Sequence, residues 1–291
     1  MPRTKNPWVK RRNDADDWAE LFGSRYVGNE GSVVPTALGA MAREQRIKRV
    51  EFLPLLVEGG LTIESDGFVM MVRCERDESD AFARSFASDE TGALLPPRKR
   101  FTIAHEIAHT FFFDTSCTPP RSTVNFENKR TLHSLEKACN RAASQLLLPE
   151  SLLSKFYSTS GLLNPGILRE IATKAAISSP ALVVRLEWLR RYPKPNGIVC
   201  SVEEARDEFI FSAVARHLGF RGLFTEVAPG ESIRKLIKDQ DFILNGGGRH
   251  EVRVKRAIIP GGRCRDYIIV AERTERTSRR KAYFVTIREE L

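Results

Sequence analysis

Apolar and polar residues alternate along this 291-residue chain with both helical and strand periods, which predicts a protein of mixed α and β structure. The clearest helical period lies in LHSLEKACNRAASQLLLP, residues 132–149, where apolar side chains recur at every third or fourth position. These side chains are Leu135, Ala138, Cys139, Ala142, Ala143, Leu146 and Leu147. The pattern predicts an amphipathic helix that Pro149 stops, because proline cannot continue a helix.

The sequence before residue 132 predicts a first helix, a β-hairpin and then a second helix. The helix is expected at about 35–58, and LTIESDGFVMMVRCE, residues 61–75, is typical of two short strands joined by a turn at Ser65–Gly67. A polar loop with two prolines follows, and the next helix is expected to begin near Phe101.

The residues after 160 predict two short helices and then a sheet. Asn164-Pro165 and Ser179-Pro180 are each a capping residue followed by proline, which is typical of a helix start. Two helices with so short a connection resemble a helix-turn-helix. Between 250 and 290 the pattern predicts three strands, with turns at Pro260–Gly262 and around Thr277-Ser278.

These elements predict an α+β protein with four parts. A basic, loosely attached arm is expected at 1–30, and a mainly helical domain with a small β-hairpin or sheet at 31–160. A helix-turn-helix-like unit is expected at 161–195. Residues 196–291 are expected to form a separate α/β domain with an antiparallel sheet, for which the sequence offers no role.

Composition narrows the class of protein. Apolar residues make up 42% of the chain and charged residues 29%, which is typical of a folded globular protein. The formal charge of +9 suits an anionic partner such as nucleic acid, and it also serves solubility. The five cysteines contain no CxxC pair, which argues against a disulfide framework. Without an apolar leader or an 18-residue apolar run, the chain is expected to be cytoplasmic and to avoid membranes.

Two histidines four residues apart mark the candidate chemistry. In RFTIAHEIAHTFFF, residues 100–113, His105 and His109 fall on one helical face and can reach one cation. Glu136 is the favoured third ligand, because it lies on the apolar side of the helix at 132–149, where a lone carboxylate is costly unless it binds a cation. Asp114 and His133 are weaker candidates for that position.

The segments RKRFTIAHEIAH and EKACNRAASQLLLPE, in this order and at this spacing, closely resemble the ImmA/IrrE family of zinc metallopeptidases. The resemblance covers about residues 98–150 and extends faintly to 192. It implies a zincin-like core in the domain 31–160, with zinc held by His105, His109 and Glu136. It further implies that Glu106 is the catalytic general base and that Asn140 supports the ligands.

The resemblance also implies a substrate class and leaves other roles open. Family members cleave helix-turn-helix transcriptional repressors, so the favoured function is an endopeptidase that makes one limited cut and relieves repression during stress. No oxyanion donor can be identified, and His133, Tyr157 and His217 are the candidates. The second segment departs from the family pattern, with RAAS where a phenylalanine is common.

A DNA-binding regulator with a structural or vestigial zinc site is the alternative function. The positive charge and Arg185, Arg190 and Arg191 in the helix-turn-helix-like unit favour this interpretation, which includes a weak contact with nucleic acid. Val183, Val184 and Leu186 in the same helix argue against it, because they are expected to belong to a core. A structural zinc site would also need a fourth protein ligand, for which the sequence offers no obvious candidate.

Overall fold

Two structural units make up the chain in the computed structural model. The first unit contains Met1–Leu152 and Lys174–Ile177, and the second contains Leu153–Thr173 and Ser178–Leu291. The structure describes residues 12–26, 35–124, 129–157, 164–189, 198–205, 208–216, 249–258, 264–273 and 281–289.

The first unit combines helices with a small sheet, in agreement with a mixed α and β fold. Its elements are α1 (Arg12–Arg25), α2 (Leu38–Glu44), β1 (Ile47–Leu53), β2 (Gly59–Glu64), β3 (Gly67–Arg73), α3 (Ser79–Ser88), α4 (Pro97–Thr110), β4 (Phe113–Asp114), β5 (Arg121–Ser122) and α5 (Lys129–Leu147). Helix α6 (Glu150–Tyr157) begins at the end of this unit and continues into the second.

The main sheet of the first unit has the strand order β1-β3-β2. Strands β2 and β3 form the expected antiparallel hairpin, whereas β1 runs parallel to β3. The central strand is the most buried, and its side chains of Phe68, Met70 and Val72 are fully enclosed. Strand β2 is an edge strand, and most of its side chains are partly or fully exposed.

The prediction of a helix at 35–58 is wrong after residue 44. Helix α2 ends at Glu44, and residues 47–53 form β1. Arg46 lies between them with a φ of 62°, a left-handed conformation that a helix cannot accommodate. Its guanidinium group donates hydrogen bonds of 2.9 Å to the carbonyl oxygens of Asp66 and Cys117. These hydrogen bonds to distant residues and the pairing with β3 stabilise residues 47–53 as a strand.

Helices α4 and α5 pack against each other and form the centre of the first unit. Helix α4 begins at Pro97, four residues before the expected start, because Pro97 occupies the first helical position after Pro96. The apolar stripe predicted for α5 is buried as expected, and its alanines are almost wholly enclosed. Small side chains at the contact allow the two helices to approach closely.

The interpretation of residues 1–30 as a loose arm is wrong for residues 12–25. Helix α1 packs on α5, and its side chains of Ala19 and Phe22 are completely buried. Asp16, which is 3% exposed at its side chain, forms an ion pair of 3.2 Å with Arg141. The basic residues 1–11 lie outside the described residues.

In its described residues, the second unit contains α7 (Pro165–Lys174) apart from its last residue, α8 (Ser179–Glu187) and five strands. The strands are β6 (Ile198–Ala205), β7 (Glu208–Arg216), β8 (Arg249–Ile258), β9 (Cys264–Arg273) and β10 (Lys281–Glu289). They form an antiparallel sheet with the order β7-β6-β10-β9-β8, and α8 packs on β6 and β7.

The three strands predicted between 250 and 290 are confirmed, although their predicted turns lie outside the described residues. Strands β6 and β7 were not predicted. The cap of α8 is Ser178 and not Ser179, since the Ser178 hydroxyl oxygen accepts a hydrogen bond of 3.3 Å from the Ala181 amide. Among the described helices, none has the length and apolar character needed to cross a membrane.

The packing of α1 leads to a test of its place in the core. Replacing Phe22 by alanine should lower the free energy of unfolding by about 3–5 kcal/mol, because it removes a fully buried ring. Leu21→Ala is the matched control, since Leu21 is 47% exposed and should cost less than about 0.5 kcal/mol. Urea unfolding followed by circular dichroism measures both. Equal, small effects would restore the interpretation of α1 as a loose arm.

Candidate metal centre

Helices α4 and α5 bring three metal-binding side chains to one point. His105 and His109 lie one turn apart on α4, and Glu136 lies on the facing side of α5. The Nε2 atoms of the two histidines are 3.0 Å apart. The Glu136 carboxylate oxygens lie 3.1 Å from Nε2 of His105 and 3.4 Å from Nε2 of His109. Among the described residues, these three are the group whose ligand atoms converge closely enough to hold one metal ion.

The spacing of these atoms fits a tetrahedral zinc site. Ligand atoms about 2.0–2.1 Å from a tetrahedral ion are about 3.3–3.4 Å from one another. The 3.0 Å between the two Nε2 atoms and the 3.1 Å between Nε2 of His105 and Oε2 of Glu136 are close to this value, and the 3.4 Å distance from His109 is to the other oxygen, Oε1. Nε2 is the ring nitrogen of His105 that faces Glu136 and His109, whereas its Nδ1 is buried without a hydrogen-bond partner in the described part of the chain. Two imidazoles and a carboxylate are also a donor set typical of zinc enzymes.

Glu136 differs from the sequence prediction in its burial. Its side chain is 43% exposed, whereas the argument from the apolar stripe expected a buried carboxylate. The difference arises because Glu136 lies at the edge of the stripe and faces an open cleft. A hydrogen bond from His109 lowers the pKa of Glu136, which favours the ionised form that a metal ligand needs.

Glu106 occupies the same cleft but is not one of the three converging ligands. Its side chain is almost enclosed, and burial raises the pKa of its carboxyl group to about 7. A carboxyl group with such a pKa can both accept and return a proton near neutral pH. Burial is also the main reason that the pKa of neighbouring His105 is lowered, which favours the neutral imidazole that binds metals.

The cleft that contains these residues has a volume of about 820 Å³. One wall is formed by residues 57–61, which lead into and begin the edge strand β2, and another by α4. An ion pair between Glu58 and Arg98 joins the two walls, with N–O distances of 2.8 and 3.1 Å. Leu61, Phe101 and Phe113 give the cleft an apolar lining beside the charged centre.

The other described residues predicted to belong to the site lie at varying distances from the three ligands. Asn140 lines the cleft and interacts with the side chain of His105. His133 is exposed on α5, and it belongs neither to the converging group nor to the residues that line the cleft. Asp114 is hydrogen-bonded to the amide and hydroxyl groups of Ser116 and does not join the group either. The side chain of Tyr157 and the whole of His217 lie outside the described part of the chain.

Sequence reasoning missed the wall formed by residues 57–61. The pair Gly59-Gly60 was available as a signal, because glycine in a strand often marks a close approach of another group. The contact itself could not be predicted, because it depends on how β2 lies beside α4.

Comparison with known proteins shows what this region is similar to. Residues 93–187 match the model of the peptidase M78 family, described as the IrrE N-terminal-like domain. The chain is 29% identical over 115 residues to the radiation response metalloprotease IrrE of Deinococcus deserti, and 30% identical over 94 residues to that of Deinococcus radiodurans. The matches support an ImmA/IrrE-type peptidase domain at residues 93–187.

The similarity of this region to both relatives covers only part of each protein. The match to the Deinococcus deserti protein covers 40% of this chain and 40% of that protein. The match to the Deinococcus radiodurans protein covers 32% of this chain and 28% of that protein. A solved Mycobacterium tuberculosis transcriptional regulator is 16% identical, covers 94% of this chain and 75% of its own, and has a TM-score of 0.46. A similarity at that level supports no conclusion about function.

The converging ligands predict the metal content of the protein. After zinc supplementation and dialysis, the wild-type protein should hold about one zinc per chain, because three protein ligands suit a tightly bound ion. Glu136→Ala should reduce the content below about half an equivalent. His133→Ala is the control, since His133 lies one turn earlier on α5 and should leave the content unchanged. Elemental analysis measures all three proteins.

Two results would contradict the ligand assignment. One is a wild-type protein that holds less than about half an equivalent of zinc. The other is a Glu136→Ala variant that retains the wild-type content, which would make Asp114 or His133 the better candidate for the third ligand.

Proposed function

We propose that the protein is a zinc-dependent endopeptidase that makes a limited cut in a partner protein. The observation that carries this proposal is the convergence of His105, His109 and Glu136 in a cleft that also contains Glu106. The family match and the metalloprotease relatives support the same reaction class.

Each of these residues would have a separate role in peptide hydrolysis. His105, His109 and Glu136 would hold the ion, which, when bound, acts as a Lewis acid toward water and the scissile carbonyl. Glu106 would accept a proton from the attacking water and later deliver it to the departing amine. Its place in the chain, directly after a ligand but outside the ligand group, leaves its carboxylate available for this role. Asn140 would help to hold His105 in position.

The cleft supports an extended peptide as the substrate. Strand β2 has β3 as its strand neighbour in the described sheet, and its first residues, Gly59–Leu61, line the cleft. An extended segment can pair with such an edge through main-chain hydrogen bonds, which do not depend on its sequence. Leu56 and Val57, just before β2, are 100% and 63% exposed and offer an apolar contact. A loop or linker of a folded partner can enter this site, whereas a packed domain cannot.

The partner that we propose is a helix-turn-helix transcriptional repressor. One cut between its DNA-binding and dimerising parts would halve its contacts with phosphate groups and so weaken operator binding. The names of the two relatives associate them with a radiation response, which supports a role in a stress response. Cleavage of a repressor would take place in the cytoplasm.

The observed burial weakens the DNA-binding alternative. Arg185 is 1% exposed and Val183 and Leu186 are fully enclosed, so these parts of α8 are not available to a duplex. Val184 is 45% exposed, contrary to the expectation that it belongs to the core. Helix α8 also packs on β6 and β7, and Arg190 and Arg191 lie outside the described residues.

The proposal is tested by cleavage of a candidate repressor. Helix-turn-helix regulators encoded beside this protein should yield one or two fragments by mass spectrometry when incubated with the wild-type protein and zinc. Glu106→Gln should retain zinc and fold but cleave about 100- to 1,000-fold more slowly, because it removes the base and keeps the ligands. A chelator should abolish cleavage by the wild-type protein.

Three outcomes would count against this proposal. Near-normal turnover by Glu106→Gln would remove Glu106 from the reaction. Broad digestion of casein would contradict a limited cut. Salt-sensitive binding to a DNA duplex without cleavage of any neighbouring regulator would favour the DNA-binding alternative.

A further inference from the structure

Strand β2 lies unusually close to the catalytic side of α4 at its first residue, Gly59. A Cβ atom at this position would be 2.8 Å from Oε1 of Glu106 and 2.6 Å from Cγ2 of Thr102. It would also be 3.2 Å from the carbonyl oxygen of Met71 on the neighbouring strand. Real Cβ atoms essentially never have contacts shorter than 3.0 Å, so a side chain at residue 59 requires its neighbours to move.

Thr102 cannot move away from residue 59 without breaking one of its own hydrogen bonds. Its hydroxyl group donates a hydrogen bond of 3.1 Å to the carbonyl oxygen of Arg98, one turn earlier on α4. This bond fixes the rotamer that places the methyl group beside Gly59. Because threonine is branched at Cβ, turning the methyl group away would also displace the hydroxyl group. The carboxyl group of Glu106 is the more easily displaced neighbour, since it ends a longer and more flexible side chain.

We propose that Gly59 is a positioning residue for Glu106. The missing side chain leaves a space against the backbone of β2, and the carboxylate of Glu106 occupies that space beside the metal ligands. This inference rests on the proposed function, because Glu106 must be the general base for its position to affect turnover. A displaced carboxylate would leave the metal ligands in place and would slow the proton transfer alone.

Gly60 provides a matched comparison within the same strand. A Cβ atom on Gly60 would meet the Met71 side chain at 3.8 Å, an ordinary van der Waals contact. Both glycines lie in β2 and line the cleft. Gly60→Ala therefore makes the same chemical change in the same strand, with the same loss of backbone freedom, but without a contact to Glu106.

The test compares Gly59→Ala with Gly60→Ala in the full-length, zinc-loaded protein. The substrate is a regulator that the wild-type protein cuts. Gly59→Ala should lower kcat by about 10- to 100-fold and leave KM within about threefold, because a displacement of about 1 Å at a reacting group costs this much. Gly59→Ala should lower kcat at least about 10-fold more than Gly60→Ala, which alters the same cleft wall without a contact to Glu106. Both variants should retain the wild-type zinc content.

Crystal structures of the two variants give a readout that does not depend on cleavage. In Gly59→Ala, the Glu106 carboxylate should move until its contact with the new Cβ exceeds about 3.4 Å, where ordinary contacts begin. In Gly60→Ala it should stay in place. Gly59→Ala/Thr102→Ser is the companion variant if Gly59→Ala does not fold, since serine removes the methyl contact and keeps the hydroxyl group.

Each result decides a different point. Equal kcat values in the two glycine variants, or an unmoved Glu106 carboxylate in Gly59→Ala, would overturn the inference. A fall in zinc content in Gly59→Ala would also overturn it, because the effect would then act through the ligands. If the wild-type protein cuts no regulator, the proposed function fails, and the crystal structures alone decide whether Gly59 positions Glu106.

Discussion

The packing of α4 against α5 is the constraint on which the candidate site depends. The histidines leave α4 and the glutamate leaves α5, so the distances between their ligand atoms are set by the separation of the two helices. Both helices bury alanines, including Ala104, Ala108, Ala142 and Ala143, and small side chains allow two helices to approach closely. A larger residue at such a position would push the helices apart, and the converging atoms would no longer match one ion.

The same packing almost encloses the Glu106 carboxyl group, and this burial raises its pKa. Glu106 lies on the helix that carries both histidines and is almost enclosed, and an isolated carboxylate in such a place is costly. The small sheet completes the site, since the edge strand β2 forms the opposite wall and meets Glu106 at a residue without a side chain. Helix α1 covers the other side of α5 and contributes Phe22 to the core.

Sequence patterns predicted the parts of this structure that depend on local spacing. The separation of four residues between His105 and His109 fixes their common face on any helix, and the period of α5 placed Glu136 on the side that faces them. Parts that depend on distant contacts could not be predicted. Strand β1 replaces a predicted helix because Arg46 is anchored on Asp66 and Cys117. The close approach of Gly59 to Glu106 depends on how β2 lies beside α4, and the exposure of Glu136 depends on the open cleft.

The central claim is that a metal ion is bound by two imidazoles from α4 and one carboxylate from α5. X-ray absorption at the zinc edge of the zinc-loaded protein tests this claim most directly, because it reports the ligand atoms themselves. The account predicts nitrogen and oxygen ligands at about 2.0–2.1 Å with the multiple-scattering signal of about two imidazoles. Sulfur ligands at about 2.3 Å, or a spectrum that is unchanged when Glu136 is replaced by alanine, would contradict it.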